Sequence, residues 1–315
     1  MQPGFGHEGE IGLKRTIRIA TRGSKLALWQ AEFVRDQLLL VDPDSAVELV
    51  ILTSSGDVVL DRPLYAVGGV GIFTKEIQDA VLDGRADIAV HSLKDLPTVA
   101  HPSLSLAAVP KRGEVGDAFL SPKHASFASL PNGARVATSS LRRQAQLLRH
   151  RPDLAIESIR GNVETRIRKM HEEGLDGLIL AVAGIERLGL LSEVREHIPE
   201  ELMLPAVGQG ALGIECRAND EEMQAILSKL EDEETRMRVD AERSFLRTIQ
   251  GGCQVPVGAA TDIVEETLHL RAVVLSPDGK RWIEDSIAGA AAEAELLGRE
   301  LAEEMIADGA ADLLK

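Results

Sequence analysis

With 315 residues and a formal net charge of −15, the chain is long enough for two or three domains and too acidic for non-specific nucleic-acid binding. Aromatic residues make up only 3%, too few for a base-stacking platform, and no apolar run approaches the ~18–20 residues of a membrane span. Two cysteines, Cys216 and Cys253, cannot build a disulfide framework, and neither they nor the scattered histidines show a zinc spacing. No metal is expected, and a reducing cytoplasm fits.

The first fifteen residues contain Glu8, Glu10 and several glycines but no apolar core, and are expected to form a loose tail rather than a targeting signal. From Thr16 the chain alternates short β-rich runs with amphipathic ones. Thr16–Thr21, Val47–Leu52 and Ala86–Val90 read as strands, and Ser24–Leu40 and Ile72–Asp83 as helices. This is the rhythm of a mostly parallel sheet with helices on both faces. It restarts after Pro110 and Lys111. Arg135–Thr138, Ala155–Ile159 and Gly177–Ala181 read as strands, and Leu141–His150, Val163–Glu173 and Ile185–Leu191 as helices. A late strand at Ala211–Glu215 is placed back in the first domain. After the acidic run Glu231–Glu234, the segment Thr235–Ile249 reads as a helix. Val257–Val264, Thr267–Leu275 and Arg281–Ile287 read as an antiparallel sheet, with Asp278-Gly279 as a hairpin turn and Ala290–Leu314 as a closing helix.

The fold class is therefore α/β: two similar doubly wound domains and a small α+β C-terminal domain with a three-stranded antiparallel sheet. The expected division is 1–110 with 211–230, then 111–210, then 231–315.

Against the acidic background, residues 135–170 carry nine Arg and Lys and three Asp and Glu. The basic residues cluster where strand gives way to helix. Arg22 stands with Gly23 and Ser24, Arg142 and Arg143 follow Ser139 and Ser140, and Arg160 and Arg166 flank Gly161 and Asn162. Ser24, Ser140 and Asn162 also suit plain helix N-caps. The repetition, with a guanidinium each time, points to a site for carboxylates or phosphates. Arg142 and Arg143 are expected to be exposed toward such a cleft, contributing little to stability. In ADIAVHSLKDLP (86–97), Lys94 can hold an anion, and Asp95 is the best candidate for acid–base or cation-stabilising work. Gly68, Gly69 and Gly71 precede a helix without a following Gly-Lys-Ser/Thr, which excludes a nucleotide P-loop and suggests a moving loop. Cys253, after Gly251 and Gly252, is expected to be more exposed than Cys216, which reads as a core thiol.

The segments TRGSKLALWQA (21–31), ADIAVHSLKDLP, ATSSLRRQAQL (137–147), IRGNVETRI (159–167), LPAVGQGALGIE (204–215) and ERSFLRTIQGGC (242–253) together resemble the porphobilinogen deaminase family, in order and spacing. The likeness runs from Thr16 to the C-terminus and implies domains like the lobes of type II periplasmic binding proteins. It implies a monomeric cytoplasmic transferase of heme biosynthesis, needing no nucleic acid or membrane. Such an enzyme joins four porphobilinogen molecules with loss of ammonia and releases hydroxymethylbilane. It also implies a dipyrromethane cofactor on a cysteine thioether, which falls on Cys253. By the same resemblance, Asp95 is catalytic, and Lys94, Ser139, Ser140, Arg142 and Arg143 bind the cofactor. Arg22, Ser24, Arg160, Arg166 and Arg187 bind substrate. The chain departs from the family at Val70, where many members have lysine. A two-domain solute- or effector-binding protein for a small polycarboxylate is the alternative, and it would need neither Cys253 nor Asp95.

Overall fold

The computed structural model describes residues 15–53, 74–250 and 255–314. The N-terminal tail, the glycines around Val70, and Cys253 with its Gly-Gly turn lie outside the described residues.

The first sheet joins β1 (Thr16–Arg22), β2 (Ala46–Leu52), β3 (Ile88–Ser92) and β4 (Leu104–Ala108) with β10 (Leu212–Arg217), which returns from far downstream. Its order is β2-β1-β3-β10-β4. β1 is parallel to both neighbours, whereas β10 runs antiparallel between β3 and β4. Alternate residues of one strand face opposite sides. Ile17 and Ile19 of β1 meet Ala31, Val34 and Leu38 of α1 (Lys25–Val41), while Ala20 faces Ile77, Ala80 and Val81 of α2 (Lys75–Leu82).

The second sheet repeats the plan. It contains β5 (Asp117–Leu120), β6 (Arg135–Ala137), β7 (Ala155–Glu157), β8 (Gly177–Ala181) and β9 (Val194–Ile198) in the order β7-β6-β8-β5-β9. Leu147 of α3 (Leu141–His150) packs on one face beside Phe119 and Ile179. Ile167 and Met170 of α4 (Val163–Glu172) pack on the other, beside Leu178 and Leu180. α5 (Val182–Arg187) follows β8 directly.

Leu227 of α6 (Glu221–Leu227) joins the core of the first sheet. Beyond it, α7 (Glu233–Thr248) and α8 (Ala294–Ala307) cover one face of an antiparallel sheet of β11 (Val257–Val264), β12 (Thr267–Leu275) and β13 (Trp282–Ala290). Phe245, Leu270 and Leu301 lie in that core.

The sequence rhythm predicts neither β4, β5 nor β9, and the first sheet is mixed rather than simply parallel. These three strands have four or five residues each, too few for alternation to stand out. The expected helix at Ile185–Leu191 begins earlier, at Val182, and ends at Arg187. The closing helix is broken after Ala307 and resumes as α9 (Ala310–Leu313).

Two segments cross between the five-stranded sheets, around Gly113 and around Gly210, and the Gly113 N–H donates to the Gly210 carbonyl at 3.2 Å. Gly210 has φ +85°, and a Cβ there would lie 2.6 Å from the Gly113 oxygen, so the close crossing requires glycine. Glu242 of α7 ties the crossings to the third sheet. Its buried carboxylate accepts both Nη atoms of Arg112 at 2.6 and 3.0 Å, the Gly208 N–H at 2.7 Å and the Thr261 hydroxyl at 2.6 Å.

Candidate active site

The carboxyl ends of β1 and β3 face those of β6 and β8 across a cleft of about 850 Å³, where helix N-termini converge from both sheets. All the site residues expected from the sequence that are described line this cleft. Cys253 lies outside the described residues.

From the first sheet come Arg22, Ser24, Lys94 and Asp95. Ser24 caps α1, its hydroxyl accepting the Ala27 N–H at 3.3 Å. β3 ends at Ser92, which accepts from the Gln30 amide at 2.8 Å, and a single 3₁₀ turn presents Lys94 and Asp95. Behind it, His91 is buried 3.0 Å from Glu215, and Gln78 of α2 donates to the same carboxylate at 2.9 Å. Burial pushes Glu215 up, but the His91 and Gln78 contacts outweigh it and hold the carboxyl below its ordinary value.

From the second sheet come Ser139, Ser140, Arg142, Arg143, Arg160, Arg166 and Arg187. The Ser140 hydroxyl accepts the Arg143 N–H and caps α3, and the Asn162 carbonyl oxygen accepts the Thr165 N–H at 2.8 Å and caps α4. The capping and cleft readings of these residues therefore hold together. The Ser139 hydroxyl is occupied by Ile159, donating to its carbonyl and accepting its N–H at 3.0 Å. Arg166 Nε donates to Gly161 O at 2.7 Å, and Arg187 Nη2 donates to Gly210 O at 2.6 Å with its guanidinium 5.3 Å from the Trp29 ring centre.

Arg142 and Arg143 correct the expectation of exposure. They are 4% and 6% exposed, and both pair with Asp117 at the start of β5 at 2.8 Å. Arg142 Nη1 also donates to Leu204 O at 2.6 Å, and Arg143 Nη1 to Ile179 O at 3.1 Å. Burial alone would raise Asp117, but the two guanidinium groups hold its carboxyl far below the carboxylate range. Two cations against one anion leave this buried trio net positive.

Asp117 and Gln209 are the residues that sequence reasoning missed. Fully buried Gln209 donates to Asp117 Oδ1 at 3.0 Å and to Val115 O at 2.7 Å, and its oxygen accepts from Lys94 Nζ at 3.3 Å. A charge inside the otherwise apolar run DAFL is the only sequence signal for Asp117. Arg168 and Lys169 also reach the cleft, nearly two turns beyond the α4 cap.

Electrostatically the cleft is one-sided. Of the described residues lining it, nine are arginine or lysine and one, Asp95, is acidic. Burial, with Arg143 and Arg142 adding to it, pushes Lys94 down to about 8 against a pull from Asp95. Burial and the neighbouring Arg143 and Arg160 push Arg166 down to about 10. Among the described residues, the Asp95 side chain makes no hydrogen bond or ion pair. A single unengaged carboxylate in a desolvated cationic cleft can accept an N–H and stabilise a nearby cation, while the cations hold a polyanion.

Residues 17–225 match the family model described as porphobilinogen deaminase, dipyromethane cofactor binding domain, and residues 236–307 match porphobilinogen deaminase, C-terminal domain. The chain belongs to the porphobilinogen deaminase family. A protein named porphobilinogen deaminase from Syntrophotalea carbinolica is 50% identical over 298 residues, covering 95% of each chain. Among solved structures, the methionine-binding protein MetQ aligns with 68% of this chain and 89% of its own at 14% identity and TM-score 0.45. A putative methionine-binding lipoprotein from Bacillus subtilis aligns with 69% of this chain and 90% of its own at 13% identity and TM-score 0.43. Membership of the deaminase family sets aside the solute-binding alternative. No helix among the described residues is long and apolar enough to cross a membrane.

Proposed function

We propose that the protein condenses four porphobilinogen molecules stepwise, with loss of ammonia, onto a dipyrromethane primer linked to Cys253. It then hydrolyses off hydroxymethylbilane for heme biosynthesis. The observation that carries this reading is the cleft itself, with one carboxylate, Asp95, among nine basic side chains of the described residues. Each ring of substrate and cofactor bears an acetate and a propionate, so the ligand is a polyanion that needs such a lining.

The residues present fit the cofactor. Arg142 Nε is buried without a hydrogen-bond partner among the described residues, a donor suited to an incoming carboxylate. Lys94, Ser140, Arg142 and Arg143 would hold the group's carboxylates, and Ser139 would join them by turning its hydroxyl from the Ile159 carbonyl. When bound, the dipyrromethane supplies the pyrrole carbon to which the substrate is joined. Arg22, Ser24, Arg160, Arg166 and Arg187 orient the substrate carboxylates. Asp95 accepts the substrate's pyrrole N–H while the aminomethyl C–N bond breaks and ammonia leaves. Its fixed negative charge favours the cationic transition state over the neutral ground state. The buried Asp117 pairs Arg142 and Arg143 so that neither guanidinium has to reorganise as carboxylates arrive. The reading carries with it a three-domain division at 1–110 with 211–230, 111–210 and 231–315, and a monomer working in the cytoplasm.

Intact-mass measurement of the purified chain tests this directly. The expected mass exceeds that of the bare chain by that of two porphobilinogen units less two ammonias. Cys253→Ser should lose the excess, and Cys216→Ser, whose buried thiol is pushed up to about 11 by burial, should keep it. A fully active chain at its bare mass would overturn the reading.

A further inference from the structure

α3 has two working ends. Its N-terminal turn carries Arg142 and Arg143 into the cleft. Its opposite side is covered by the third sheet, which belongs to another part of the chain. Ala145 is fully buried in a small cluster with Leu204 and with Val273 and Leu275, which stand on the face of β12 turned away from its own core. The turn between β12 and β13 then closes over the helix. Gln144 Nε2 donates to Pro277 O at 3.2 Å. Arg149 pairs with Glu284 at 2.8 Å and lies 4.5 Å from the centre of the Trp282 ring.

Gly279 sits at the tip of this turn with φ +70°. A Cβ there would lie 2.4 Å from Ala145 O and 2.7 Å from Arg149 N, atoms of the helix backbone. Unlike the end of a flexible side chain, a helix backbone yields only by moving the helix as a body. The helix is in turn fixed to the cleft by Asp117, so a shift at Gly279 must be felt at Arg142 and Arg143. Productive geometry tolerates about 0.5 Å of such displacement.

We propose that the β12–β13 turn, through Gly279 and Arg149, is a positioning device for the arginine end of α3. It sets where Arg142 and Arg143 meet the carboxylates of cofactor and substrate. The inference rests on the proposed role of those arginines. It adds that the third sheet, which begins four residues after Cys253 in the sequence, also holds the arginine helix in place. A carboxylate clamp positioned before the ligand binds reduces the ordering cost of binding.

The test compares three glycine-to-alanine variants. Gly279→Ala forces the turn against the helix. Gly133→Ala carries the same positive-φ strain, at +73°, with nothing within 4 Å of the new Cβ. Gly289→Ala crowds Leu297 inside the third core, with a Cβ 2.7 Å from Leu297 Cδ2, and does not touch α3. Steady-state kinetics with porphobilinogen, and the rate at which cofactor-free chain gains the two-unit mass excess on adding porphobilinogen, are read for each. Gly279→Ala should raise KM by about tenfold, a loss of about 1.4 kcal/mol, and slow cofactor loading to a similar degree, with kcat changed much less. The other two variants should lose thermal stability alone. Arg149→Ala removes the Glu284 and Trp282 contacts without a clash, and should shift KM the same way by a smaller factor. If Gly279→Ala does not fold, Arg149→Ala decides. Unchanged KM and loading in every variant that folds would overturn the proposal and leave the turn a packing contact. Retention of the mass excess by Cys253→Ser would instead defeat the underlying functional reading, so the two failures are distinguishable.

Discussion

Asp117 Oδ1 accepts both Nε and Nη2 of Arg143, at 3.1 and 2.8 Å, in a site where neither side chain meets appreciable solvent. Its other oxygen serves Arg142. The pair thus belongs to the fold and to the cleft at once. Removing one partner of a buried pair leaves an uncompensated charge, at a cost of about 3–5 kcal/mol. Asp117→Asn leaves two buried guanidinium groups with no counter-charge, so urea unfolding should show a loss in that range, together with weaker cofactor loading. Arg143→Lys should lower both stability and substrate affinity, because lysine cannot serve Asp117 and Ile179 with one planar fork. An Asp117→Asn chain within about 0.5 kcal/mol of the parent, the range of ordinary surface changes, would show that the trio is not held as described.

Asp95→Asn keeps shape and removes charge. The carboxylate has no protein partner among the described residues, so the fold should lose little. Cofactor loading, seen by intact mass, should persist, while kcat should fall about 10²–10³-fold, as when one preorganised stabilising group is lost. A kcat within about threefold of the parent would correspond to roughly 0.7 kcal/mol and would remove Asp95 from the chemistry.

Lys94 gives the site a pH dependence with opposite signs for activity and stability. Its ammonium is held at about 8, below its ordinary 10.5. Between these values the unfolded chain binds more protons than the folded one, so this lysine's contribution to stability rises with pH through that window. Below about 8 the folded chain carries the full penalty of a desolvated cation. Activity should run the other way. Carboxylate binding favours the charged form, so kcat/KM should fall as pH rises past about 8, while the same limb in kcat lies at higher pH because bound anions raise the group. Lys94→Arg, charged throughout, should abolish this limb. Persistence of an identical limb in Lys94→Arg would assign it to another group.

The cleft was legible because its device is local. A cap residue among small residues, with an arginine within a few positions, marks a helix N-terminus and its charge, as at Ser24, Ser140 and Asn162. The burial of Arg142 and Arg143 was not legible. Their partner Asp117 stands 25 and 26 residues upstream in a four-residue strand, and only the sheet order β8-β5-β9 brings it under α3. Gln209 was missed for the same reason, since its partners Lys94 and Val115–Asp117 come from two segments far from it in the chain. β9 reads VREHI, an edge strand whose charges hide its pairing. The third sheet was read almost residue by residue, because strands of eight or nine residues joined by Asp278-Gly279 carry both alternation and a turn signal.

Lys25 and Glu164 join the two sides of the cleft. Lys25, the first residue of α1, reaches Glu164 in the first turn of α4 at 2.5 Å. Nearby, Leu26 packs beside Gly184, and Trp29 lies under Arg187. Glu164 suits a helix N-terminus, but Lys25 does not, since the macrodipole there disfavours a cation by about 0.3–1 kcal/mol. A lysine that opposes its own helix is explained by the contact it makes across the mouth. Its side chain is 72% exposed, so the pair should add no more than about 1 kcal/mol to folding. Its effect should appear instead in how readily the two five-stranded sheets separate. Lys25→Ala and Glu164→Ala should each leave the melting temperature nearly unchanged, speed amide exchange at the starts of α1 and α4, and raise KM about two- to fivefold, roughly 0.4–1 kcal/mol. Raising salt from 0.05 to 1 M shortens the screening length to about 3 Å, so the parent's exchange rates should approach those of the variants. The exchanged pair Lys25→Glu with Glu164→Lys should recover part of the parent's behaviour, less its unfavourable dipole placement at α4. Equal exchange rates in parent and variants at low salt would show that Lys25 and Glu164 do not restrain the cleft.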